Sequence, residues 1–99
     1  MILPGLIDYW NEWRKARACE RQAKAHYDKG RWAEAAAAYR EAVALRPQRA
    51  VLYLNLGLAL YKSGQKYPAR DEWKRGLALA EERQPYLAEQ FAILLRQFG

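Results

Sequence analysis

The chain matches itself when it is shifted by 34 residues. The shift lays Ala16 on Ala50, Ala25 on Ala59, Tyr27 on Tyr61 and Gly30 on Gly64. Further along, Ala35 meets Ala69, Tyr39 meets Trp73 and Leu45 meets Leu79. Small residues fall on small residues, Ala23 on Gly57 and Ala42 on Gly76. A fixed period of this size means a solenoid, in which each unit buries one face only by stacking on the next. That excludes most enzyme folds and points to a binding surface.

The spacing within one period is helical. Tyr53, Leu56, Gly57 and Leu60 recur at three- and four-residue steps, the stripe of one buried helix face. Gly64 then ends that helix where a positive φ is wanted. Pro68 falls in the first turn of the next helix, where a missing N–H does no harm. Ala69, Trp73, Gly76 and Leu77 give this second helix its own face, and the small residues let two antiparallel helices approach closely. Five helices are expected, over about 5–28, 32–45, 49–63, 67–82 and 85–97, with Pro4 and Pro85 as first-turn prolines. The 18 alanines, single serine and absent threonine favour helix over strand. They also leave few side chains to cap helices, so packing must define the ends.

This arrangement resembles the tetratricopeptide repeat (TPR) family. The family pattern is a large residue, Leu-Gly, Tyr, then Ala, an aromatic, Ala and Pro. The second copy reads Tyr53, Leu56-Gly57, Leu60, Ala69, Trp73, Gly76, with Glu81 in place of Pro. The first reads Cys19, Gln22-Ala23, His26, Ala35, Tyr39, Ala42, Pro47, a weaker match in its first helix. The spacing and Pro47 argue against the related RNA-binding helical repeats of slightly longer period. The resemblance implies an all-α solenoid of helical hairpins stacked in a right-handed superhelix. Residues 1–99 then form one domain, with 1–15 an apolar extension of the first helix. Residues 16–49 are repeat one, 50–83 repeat two and 84–99 a C-terminal helix.

In this family the first helix of each repeat lines a concave groove that holds a partner segment. Carried over, the resemblance implies Arg17, Glu20, Lys24 and Tyr27 from repeat one. Repeat two supplies Val51, Leu54, Asn55, Leu58 and Tyr61, with Lys62 at the rim. Ala88, Ala92 and Leu95 would continue the surface on the last helix. Some relatives grip a terminal carboxylate with Lys, Arg and Asn. Lys24 and Asn55 fit that set, but Glu20, Pro85 and Glu89 stand where basic residues are wanted. A carboxylate clamp is therefore not expected, and the groove reads as apolar with a basic rim.

Catalytic residues are scarce. Cys19 and His26 lie on about the same helix face, so a Cys/His dyad competes with simple packing, and packing is the favoured reading. Two such side chains do not make a zinc site. No catalytic residue, metal or cofactor is expected. The formal charge of +6 is crowded on the first helix in Arg14, Lys15, Arg17, Arg21 and Lys24. It reads chiefly as a solvated face, with an acidic partner or an anionic membrane as the alternative. No reader motif accompanies it, which disfavours nucleic acid.

Both ends of the chain are apolar. Met1, Ile2, Leu3, Leu6, Ile7, Tyr9, Trp10 and Trp13 form one cluster, and Tyr86, Leu87, Phe91, Ile93, Leu94, Leu95 and Phe98 the other. Leu6, Trp10, Trp13 and Ile93 are thus candidates for contact with a second copy or a membrane, unless the ends pack on each other. The expected function is a non-catalytic adaptor for a partner peptide or amphipathic helix with acidic flanks. The alternative is a membrane-peripheral assembly factor. A lone cysteine suits a reducing cytoplasm.

Overall fold

The computed structural model describes residues 5–98. Met1, Ile2 and Leu3 of the apolar N-terminal cluster, and Pro4, lie outside the described residues. The described chain forms α1 (Leu6–Asp28), α2 (Trp32–Leu45), α3 (Ala50–Lys62), α4 (Lys66–Arg83) and α5 (Pro85–Phe98). These are the five expected helices. Pro85 opens α5, and Pro68 sits in the first turn of α4.

The two hairpin turns are copies of one another. Gly30 and Gly64 take φ of +76° and +90°. The Arg31 N–H donates to the His26 carbonyl at 2.9 Å, and the Gly30 N–H to Tyr27 at 3.0 Å. In the second unit Gln65 donates to Leu60 at 2.9 Å and Gly64 to Tyr61 at 3.1 Å. This is the Schellman ending, which satisfies otherwise orphaned carbonyls and needs a left-handed residue at its centre.

The units differ in their second helix. α2 stops at Leu45, because Arg46 precedes Pro47 and is pushed out of helical backbone to φ −133°. Glu81 replaces that proline, so α4 runs four residues further, 18 against 14. It stops before Pro85 in the same way, with Gln84 at φ −136°. The exact sequence period therefore does not extend to the end of the second hairpin.

Packing alternates along the chain. α2 lies against α1 and α3, and α4 against α3 and α5, which puts α1, α3 and α5 in one layer and α2 and α4 in the other. The core centres on Trp73, Phe91, Leu52, Leu56 and Leu60, all fully buried. Gly57 lets the Trp73 indole lie directly on the α3 backbone, and Gly76 does the same for the Phe91 ring. None of the first four helices has a side-chain cap on its own N-terminus. The Gln84 amide oxygen instead accepts the Ala50 N–H at 3.0 Å, capping α3 from across the repeat.

Candidate functional site

α3 carries the surface expected to bind. Val51, Leu54, Asn55 and Leu58 lie half-buried along it, with their apolar members packed on the core by one side. The Trp73 indole N–H donates to the Leu54 carbonyl at 3.2 Å, which fixes α3 against α4. The stripe is therefore a rigid ledge with apolar side chains still partly open. Rigidity matters because ordering costs at binding are then small.

The other expected groove residues are more committed. Tyr61 stacks on Trp73 at 6.1 Å and meets Phe98 at 4.8 Å, closing the ledge against α5. Tyr27 sits edge-on to Trp32 at 4.9 Å. The Lys62 ammonium lies 5.5 Å from the same indole. Arg17 is held 5.3 Å over the Trp13 ring, and Lys24 pairs at 3.9 Å with Asp28 in full solvent. Glu20, half-buried, forms an ion pair with Arg49 that ties α1 to the start of α3. Ala88, Ala92 and Leu95 are half-buried on α5.

The apolar ends part company. On α5, Leu87 and Phe91 are buried, Leu94, Leu95 and Phe98 are half-buried, and Ile93 stands exposed among polar neighbours. On α1, every residue from Leu6 to Glu12 is exposed, and Trp13 is half-buried. Tyr9, Trp10 and Trp13 form an edge-to-face aromatic chain at 6.1 and 5.8 Å. At about 1.5 Å per residue α1 is ~34 Å long and α2 only ~21 Å, so the start of α1 overhangs its hairpin.

Cys19 and His26 do not form a dyad. Seven residues of helix separate them by about 10 Å. The thiol instead faces Glu41 at 3.5 Å, and His26 Nδ1 lies 3.3 Å from Glu34. Burial and the Glu41 carboxylate both push the Cys19 thiol up, away from the reactive thiolate. Among the described residues no group of three His, Cys, Asp or Glu side chains is placed to hold a metal.

One feature was not expected from the sequence. A recess of about 940 Å³ opens where the α2–α3 and α4–α5 connections come together, lined by Arg46, Arg49 and Arg83. The signal was present in part, since Arg46 and Arg83 stand just before the two helix-stopping prolines. What hid it is the longer α4, which breaks the period between them.

Two helical hairpins built on one period, each covering the next, with a fifth helix closing the stack, define a helical-repeat protein. Residues 23–64, from mid-α1 into the turn after α3, match the family model for the TPR repeat. Over those residues the chain is similar to the tetratricopeptide repeat, and such repeats serve in general as protein-interaction modules. No curated protein and no solved structure matches the chain significantly. Among the described residues no helix is long and apolar enough to cross a membrane.

Proposed function

We propose that the chain is a non-catalytic adaptor that holds an apolar peptide or amphipathic helix of a cytoplasmic protein partner. The observation that carries this reading is the α3 ledge of Val51, Leu54 and Leu58, apolar and half-open on a fixed helix. Asn55 beside it supplies a hydrogen-bonding group, and Lys24 and Lys62 supply a basic rim suited to acidic flanks. A fully buried leucine is worth about 1.5–3 kcal/mol. Each leucine here has less than that left to gain, so several must act together.

The test keeps side-chain volume, because both leucines also touch the core. Leu54→Gln with Leu58→Gln should abolish capture of partner proteins from the source organism, while helicity by circular dichroism stays unchanged. Capture that survives in the folded double variant would move the binding surface off α3.

A further inference from the structure

The recess at the α2–α3 and α4–α5 connections has a chemistry of its own. Arg46, Arg49 and Arg83 line it, and no acidic side chain does. Glu20 answers Arg49, while Arg46 and Arg83 make no ion pair among the described residues. Neither α3 nor α5 carries an acidic residue in its first turn, so the positive ends of both helix dipoles add to the same field. Clefts lined by one sign of charge concentrate ligands of the other.

The recess is not purely ionic. Leu45, Val51 and Leu87 give it an apolar floor, and Tyr9 and Tyr86, both largely exposed, stand at its edges. A lone phosphate would leave the floor unused. The volume lies near the top of the range for small-molecule pockets, about 300–1,000 Å³, which suits several residues of peptide. Planar guanidinium groups pair best with carboxylates in a two-point geometry.

We propose that this recess is a second binding site, adjoining the α3 ledge at Val51, for a short acidic protein segment carrying one apolar anchor residue. Carboxylates of the segment pair with Arg46 and Arg83, and the anchor side chain rests on Val51 and Leu87. Arg49 stays with Glu20 and adds charge without changing partner. The site shares Val51 with the ledge but is not lined by Leu54 or Leu58.

The test uses the full chain and a fluorescein-labelled short peptide of glutamates around a single leucine, read by fluorescence polarisation. Arg46→Glu with Arg83→Glu should weaken binding at least about tenfold, ~1.4 kcal/mol, and flatten its salt dependence. Arg83→Glu alone, at an exposed position, should weaken it in the same direction without touching the fold. Lys66→Glu with Lys74→Glu makes the same charge change at exposed positions outside the recess and should leave binding near wild type. Leu58→Gln should do likewise, separating this site from the ledge. Equal loss in the Lys66/Lys74 variant would overturn the proposal, because net charge alone would then explain binding. So would failure of the peptide to bind, or capture of phosphatidylserine vesicles through these arginines without capture of the peptide.

Discussion

Gly57 and Trp73 show how a single residue sets the distance between two helices. A Cβ at Gly57 would overlap the indole, and the indole has nowhere to go, being fully buried and hydrogen-bonded to the Leu54 carbonyl. Two effects oppose one another in Gly57→Ala. Helix propensity favours alanine by about 1 kcal/mol, whereas overpacking a tight core costs about 1–3 kcal/mol. Because the clash is with a ring locked on all sides, overpacking should win and the melting midpoint should fall. The corresponding pair in repeat one is Ala23 and Tyr39, the smaller ring opposite the larger small residue. Trp73→Tyr should therefore recover part of the loss when combined with Gly57→Ala. Thermal melts of the three variants check this, and purely additive losses would show that the two sites do not share one space.

At the scale of elements, the informative difference is the last turn of α4. Where repeat one has Pro47, repeat two has Glu81, and the helix continues to Arg83. Glu81→Pro should remove that turn and cost about 3 kcal/mol or more, since the ring clashes with the preceding turn. Circular dichroism should lose roughly one turn of helix. Unchanged stability would mean that α4 ends where α2 does. The helices themselves were legible because glycines and prolines punctuate a strong three-to-four periodicity. The core was legible for the same reason: Ala69, Trp73, Gly76, Leu56, Gly57 and Leu60 share a stripe in each helix. The arginine recess was not, because it depends on residues from two connections meeting in space. Nor could periodicity show that Tyr61 would be covered by Phe98, or that Glu20 would be spent on Arg49.

The whole molecule is a slab of 51 × 31 × 18 Å with a radius of gyration of 14.2 Å, against about 13 Å for a compact chain of this length. The overhang of α1 contributes to that extension. It leaves Ile7 at 59% and Trp10 at 49% exposure, an apolar patch of the kind that marks a contact surface. A membrane would want bases on the same segment, yet the overhang carries Asp8 and Glu12, and the bases begin at Arg14. Antiparallel pairing of two overhangs would cover the apolar patch without a membrane. A two-fold contact of this kind would join the Leu6, Ile7 and Trp10 surfaces of the two copies. The full chain is therefore expected to dimerise, with a melting midpoint that rises with concentration. Removing residues 1–12 should give a monomer whose dilute-solution stability is nearly unchanged, because every described residue removed is exposed. Sedimentation equilibrium of both chains decides it. A full chain that stays monomeric to high micromolar concentration, or one that floats with anionic vesicles only while the overhang is present, would reject the dimer.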